Sequence, residues 1–107
     1  MHGPLLIVIQ NCEAMCEYMI TFFGEEEDVE LRRKQIRLLR DCADICTLTA
    51  KFISRHSIFA KHLANLCSFI CDSCGKECMK FKDLESQNCT KMCLDCAREC
   101  RSYAMVE

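Results

Sequence analysis

The apolar positions of this chain fall into four stretches of helical period. From Leu5, the apolar and sulfur-bearing residues Val8, Ile9, Cys12, Cys16, Met19, Ile20 and Phe23 follow that period, and Gly24 stops it. Pro4 suits a first helical turn, where its missing N–H leaves no bond unmade. "EEED" (25–28) then opens a second helix, because carboxylates are favoured at the positive end of the helix dipole. Ile36, Leu39, Cys42, Cys46, Thr49 and Ile53 form its inner stripe. Asp28/Arg32 and Glu30/Lys34, each four apart, read as ion pairs on a solvated helix face. "SRHS" (54–57) breaks the pattern, and Ser57 can cap a third helix that reaches about Lys80. Gly75 weakens that helix by up to ~1 kcal/mol relative to Ala. Asp83 in "KFKDLES" can cap a fourth, running to about Met105. The predicted helices are therefore about 5–23, 27–54, 58–80 and 84–105. Short connections make sequential neighbours antiparallel. The expected fold is all-α, one domain over residues 1–107, packed as an up-down-up-down four-helix bundle.

Cysteines occupy the inner stripes. "CSFICDSCGKEC" (67–78) and "CTKMCLDCAREC" (89–100) share one spacing of four, three and four. At about 100° per residue, the four thiols of each segment fall within an arc of about 60°. Cys12/Cys16 and Cys42/Cys46 add one four-residue step each. In an antiparallel pair, residues at equal height have a constant sum of positions. Cys78/Cys89, Cys74/Cys93, Cys71/Cys96 and Cys67/Cys100 meet that condition, with the turn between 83 and 84. Cys46/Cys67 and Cys42/Cys71 meet it with a turn between His56 and Ser57. A first turn near Glu25/Glu26 places Cys16 opposite position 35 and Cys12 opposite 39. Four sulfur layers result: Cys46/Cys67/Cys100, Cys42/Cys71/Cys96, Cys12/Cys74/Cys93 and Cys16/Cys78/Cys89. Leu5, Ile9 or a close neighbour, Leu39 and Gln35 fill the fourth corners. The bundle should have a sulfur-lined core.

Composition narrows the possibilities. A formal charge of −2 over 107 residues argues against a nucleic-acid binder. Three Gly, one Pro, two Tyr and no Trp supply few turns for a many-stranded sheet. Twelve Cys in a chain this short usually mean a disulfide scaffold in an oxidising compartment. The N-terminal apolar run, Leu5 to Ile9, is a poor signal peptide and too short to cross a bilayer. The expectation is a cytoplasmic protein with reduced thiols and no membrane partner.

Four chemistries compete for the thiols. As small hydrophobes they make a poor core, since each loses at least one carbon against Leu, worth ~0.8 kcal/mol per CH₂. Twelve such choices forgo on the order of ten kcal/mol, comparable with a typical domain's whole stability. "CGKEC" and "CTKMC" resemble the twin CX3C hairpins of small mitochondrial intermembrane-space chaperones, which keeps a disulfide-braced helical interaction module open. Three sulfurs per layer would then leave an odd thiol. "CDSCG" and "CLDC" are CX2C pairs at a spacing a four-cysteine zinc site uses, so a zinc or iron–sulfur protein stays open. One tetrahedral ion leaves most of the thiols unexplained. Cu(I) accounts for the excess: it is soft, prefers thiolates and accepts two or three sulfurs, so thiolates can bridge ions. One Cu⁺ per thiolate is neutral, which lets a row of deprotonated sulfurs stay buried. Twelve ligands in a column can hold on the order of ten ions, a storage geometry.

With "RDCADIC" (40–46), "CLDCAREC" (93–100) and helical CX3CX2CX3C repeats, the chain from about Asn11 to Ser102 resembles the cysteine-rich four-helix-bundle copper storage proteins. The resemblance implies Cu(I) storage or sequestration, a homotetramer, loading from one open end, and copper chaperones or exporters as partners. It makes Cys12, Cys16, Cys42, Cys46, Cys67, Cys71, Cys74, Cys78, Cys89, Cys93, Cys96 and Cys100 the metal ligands. The chain departs from the family at Met19, Phe23, Gln35 and Ala64, where further cysteines are usual. "KFKDLESQ" also lacks the histidines usual in the third turn, so capacity should be lower and the loading end should use other donors. Met15 and Met19 are candidate transfer ligands, though core filling suits both better. His56 and His62 read as surface or capping histidines rather than ligands. No Ser/His/Asp or Cys/His/Asn arrangement stands out, so no enzyme activity is expected.

Overall fold

Four helices account for most of the computed structural model, which describes residues 2–106. They are α1 (Gly3–Gly24), α2 (Arg33–Ser54), α3 (Ala60–Cys78) and α4 (Leu84–Met105), with a short 3₁₀ turn at Val29–Arg32. No strand occurs among the described residues. Packing runs round a ring, α1 on α2, α2 on α3, α3 on α4 and α4 back on α1. The result is an antiparallel bundle with extents of 46 × 19 × 18 Å. Its central seam, not one end, carries the buried residues.

The helix boundaries have local causes. Pro4 lies in the first turn of α1. At the end of α2, the N–H groups of His56 and Ser57 donate to Ile53 O (3.1 Å) and Phe52 O (3.0 Å). His56 takes φ 54° there, the left-handed residue of a Schellman cap. Ser57 Oγ accepts from the Phe59 N–H at 3.1 Å, and α3 starts at Ala60, two residues later than the expected 58. Asp83 caps α4, its carboxylate accepting from the Ser86 N–H at 2.8 Å.

The second helix starts later than its charge pattern suggests. Residues 25–28 form a turn, Val29–Arg32 is 3₁₀, and α2 begins only at Arg33. The pivot between α1 and α2 therefore lies beyond Glu25/Glu26. Cys12 Sγ meets Cys42 Sγ at 3.7 Å instead of facing position 39. The first helix is displaced against α2 by about three residues, close to one helical turn. The charge run is not all solvated either. Arg32 does pair with Asp28, at 3.1 Å, yet it is 8% exposed. Glu30 pairs with Arg33 rather than Lys34, and Lys34 reaches Glu77 on α3 at 3.7 Å.

By length and composition α1 as a whole is apolar enough to cross a membrane, although the Leu5–Ile9 run alone is not. In the bundle its inner face, Ile9, Cys12, Cys16, Met19 and Phe23, is buried against the other helices. Gly75 lies where α3 packs tightly against side chains of α4. A Cβ there would sit 2.8 Å from Leu94 Cδ2 and 3.3 Å from Cys93 Cβ.

Candidate metal centre

All twelve thiols are fully buried and free. α2, α3 and α4 hold them as the heights along the chain require: Cys46 meets Cys67 (3.9 Å), Cys42 meets Cys71 (3.5 Å) and Cys71 meets Cys96 (3.7 Å). The α1 thiols fall between layers, because of the later pivot. Cys12 touches both Cys42 and Cys93 (3.8 Å), and Cys16 touches Cys93 (4.0 Å). A continuous line of sulfur contacts follows the axis from Cys100 through Cys96, Cys71, Cys42, Cys12 and Cys93 to Cys89. Cys46 and Cys67 branch from Cys71 at 3.7 Å, and Cys16 from Cys93. The shortest of these contacts, 3.5 Å, is far from the ~2.05 Å of a disulfide.

Three groups of four sulfurs each lie within 4.8 Å of one another: Cys12/Cys42/Cys46/Cys71, Cys12/Cys16/Cys42/Cys93 and Cys46/Cys67/Cys71/Cys96. They overlap. Cys12 and Cys42 belong to two groups, as do Cys46 and Cys71. An ion in one group would share its donors with an ion in the next, a bridged arrangement rather than separate closed tetrahedra.

The thiols share protons as well as space. S–H groups of neighbouring cysteines bond to Cys12, Cys67, Cys74 and Cys89 and hold them below the ordinary thiol value, against the effect of burial. The contacts with neighbouring thiols, with burial added, push Cys16, Cys46, Cys71, Cys93 and Cys100 up. Adjacent sulfurs in this core cannot all ionise unless cations replace the protons.

The end of the sulfur-lined core at Cys78 is closed by polar groups. Gln35 Nε2 donates to Cys78 Sγ at 3.4 Å and to Ser86 Oγ at 2.9 Å. Arg32 covers Gln35, with Nη1 on Gln35 Oε1 (3.0 Å) and on Ser86 Oγ (3.2 Å), and Nη2 on Asp83 Oδ1 (2.9 Å). Its guanidinium lies between the rings of Phe23 (3.8 Å) and Phe81 (4.4 Å). Burial alone would raise the Asp83 carboxyl. The Ser86 N–H and the Arg32 guanidinium reverse that and hold it below the usual carboxylate value. Past the other end lie Thr49, Ile53, Ala60 and Ala64, all buried.

A model of the copper storage protein (Csp) family matches residues 4–105. The chain belongs to the copper storage protein family. An uncharacterized cysteine-rich protein of Bacillus subtilis, YhjQ, is 40% identical over 94 residues, which cover 88% of this chain and 87% of that one. The Cu(I)-bound copper storage protein BsCsp3, from the same organism, superposes with a TM-score of 0.92 at 37% identity, covering 96% of this chain and 97% of that one. A cytosolic copper storage protein from Streptomyces lividans, in a structure with five coppers, gives a TM-score of 0.91 at 26% identity, covering 96% and 91%.

The four positions at which the resemblance leads one to expect further cysteines lie inside the bundle. Met19, Phe23, Gln35 and Ala64 are all buried. Met19 fills the core three residues beyond Cys16, whereas Met15 is half-buried and packs against the core from outside. His56 and His62 are exposed and away from the sulfur line. The features that sequence reasoning overlooked are Arg32, Ser86 and the second role of Asp83. Arg32 sits in a charge run, and its contacts to Asp83 and Ser86 lie about fifty positions away, so no local pattern pointed to them.

Proposed function

We propose that this chain stores Cu(I), holding several ions along its axis through the thiolates of Cys12, Cys16, Cys42, Cys46, Cys67, Cys71, Cys74, Cys78, Cys89, Cys93, Cys96 and Cys100. The observation that carries this reading is the overlap of the three four-sulfur groups through Cys12, Cys42, Cys46 and Cys71. A thiolate shared between ions suits a monovalent soft cation, because charge balances at about one ion per sulfur. Zn²⁺ with four thiolates leaves each site doubly negative, and a dry core penalises that charge heavily. Each ion displaces a thiol proton, so apparent affinity rises with pH.

Storage needs no reacting group, and the protein is read as a non-enzyme. Fully buried thiols are poor nucleophiles. The cytosolic description of the Streptomyces lividans relative supports a cytoplasmic location, where thiols remain reduced. A homotetramer is supported by large apolar side chains on the outer faces, among them Phe69 (61% exposed), Leu66 and Leu48. Copper chaperones and exporters are the partners such a store requires.

The deciding experiment titrates the reduced apoprotein with Cu(I) in the presence of a competing chromogenic chelator. On the order of ten ions should be taken from the chelator before the free complex accumulates. Saturation at one or two ions would contradict storage.

A further inference from the structure

A buried column of ions needs a way in and out, and the two ends of this one are closed by different means. Beyond Cys46, Cys67 and Cys100 the seam continues through Thr49 and then through apolar side chains. Ile53 lies seven residues past Cys46, and Ala60 and Ala64 lie seven and three residues before Cys67. Opening that end means parting packed helices over two turns. At the opposite end, where Cys78 and Cys89 are the outermost thiols of α3 and α4, Gln35 is in hydrogen-bond contact with Cys78, and Arg32 lies directly on Gln35. Here the obstacle is one side chain, carried on a 3₁₀ turn rather than a helix.

We infer that Arg32 is the gate of the copper store: ions pass between the cytosol and the sulfur column at the Cys78 end, and the guanidinium must swing out for each passage. The inference rests on the storage reading above and goes beyond it. The gate is held shut by the bonds to Asp83 (2.9 Å), Asp28 (3.1 Å) and Ser86 (3.2 Å), and by the Phe23 and Phe81 rings. It is well matched to its task. The guanidinium blocks the path by its bulk, while Asp28 and Asp83 compensate its charge so that it can be buried. When Arg32 leaves, it uncovers two carboxylates and the Gln35 amide beside the Cys78 thiol. These polar groups can receive a hydrated or ligand-bound cation in direct continuity with the Cys78 thiol, whereas at the other end Ile53 lies between the sulfurs and the His2, Ser54 and His56 side chains of the surface. Gln35 acts as a positioning residue, since its amide links the guanidinium to the terminal sulfur.

The test compares exchange rates at the two ends. Wild type, Arg32→Met and Ile53→Ala are loaded with Cu(I) and mixed with excess bathocuproine disulfonate, and the coloured complex is followed in time. Arg32→Met should release copper at least about tenfold faster, equivalent to about 1.4 kcal/mol off the opening step, at unchanged stoichiometry. Ile53→Ala is the control for general loosening, since it empties core volume next to the other end. Its release rate should stay within about twofold of wild type, the scatter expected when the barrier moves by only a few tenths of a kcal/mol. Asp83→Asn serves where Arg32→Met does not fold. It keeps a capping side chain, removes one of the two carboxylates that hold the guanidinium and should also speed release.

A second readout needs no copper. In the reduced apoprotein, a short pulse of N-ethylmaleimide followed by peptide mapping should label Cys78 and Cys89 before Cys46, Cys67 and Cys100. Arg32→Met should widen that difference. Equal or greater acceleration by Ile53→Ala, or labelling that begins at Cys46, Cys67 and Cys100, would overturn the gate. Unchanged release in both Arg32→Met and Asp83→Asn would do the same. Failure of the storage reading is distinguishable, because it shows as low stoichiometry in wild type, whereas failure of the gate shows as unaltered rates and labelling order.

Discussion

Asp83 holds two structures at once, and substitutions can separate them. Its Oδ2 accepts from the Ser86 N–H at 2.8 Å, capping α4, and its Oδ1 receives Arg32 Nη2 at 2.9 Å. Asp83→Asn retains a competent cap and removes the charge. The side chains of Arg32 and Asp83 are 9% and 24% exposed, so solvent screens the pair only in part. Complete loss of a partner from a fully buried pair costs about 3–5 kcal/mol. Here Arg32 keeps Asp28, Gln35 and Ser86, so the loss should be nearer that of one charge-assisted hydrogen bond, about 2 kcal/mol. Asp83→Ala removes the cap as well and should cost about 1 kcal/mol more. For a chain of this size, about 2 kcal/mol lowers the melting temperature by roughly 10 °C. The assay is urea and thermal unfolding of the reduced apoprotein, followed by circular dichroism at pH 7 and in steps down to pH 2. The folded-state value of Asp83 is depressed, so its contribution is complete above the ordinary carboxylate range. It is lost as pH falls through the lower folded-state value, and wild type and Asp83→Asn should converge there. Equal stability at pH 7, or a gap that persists at pH 2, would refute the assigned role.

Four further substitutions test other parts of the account. Thr49 Oγ1 is buried without a hydrogen-bond partner among the described residues, so Thr49→Val should hold or raise stability, by up to about 1 kcal/mol in urea unfolding. A loss larger than that would reveal a partner for the hydroxyl. Gly75→Ala gains helix propensity but drives a Cβ to within 2.8 Å of Leu94 Cδ2, and a net loss of about 1 kcal/mol is expected in the same assay. Stabilisation would mean that the Leu94 side chain moves aside at little cost. Cys71 touches Cys42, Cys46, Cys67 and Cys96, so Cys71→Ser should lower Cu(I) stoichiometry by more than one ion. Cys100→Ser, at the end of the line, should lower it by about one, and equal losses would argue against shared donors.

The parts of this structure legible in the sequence are those that depend on one helix and one turn. Cysteines at steps of four and three must share a face, and the Asp83 and His56/Ser57 turns then set the heights of α2, α3 and α4. The contacts Cys46–Cys67, Cys42–Cys71 and Cys71–Cys96 follow from nothing more. The height of α1 is not legible, because the acidic run at 25–28 predicts a helix start that the fold delays to Arg33. An acidic run favours a helix N-terminus but does not exclude a turn followed by 3₁₀, and those residues move the pivot. Arg32 was hidden for a different reason. An arginine four residues from an aspartate looks like a surface pair, and only the fold brings Phe81, Asp83 and Ser86 over it. The Cys-free positions were equally silent: Gln35 reads as a lost ligand until its amide is seen bridging Arg32 and Cys78.

The central claim is that neighbouring ions share sulfur along the bundle axis. X-ray absorption spectroscopy at the copper edge, on protein loaded to saturation under reducing conditions, tests it most directly. The account predicts a first shell of sulfur alone, two or three per ion, with a short copper–copper vector from thiolate bridging. Nitrogen or oxygen in the first shell, or isolated copper without a copper neighbour, would contradict it.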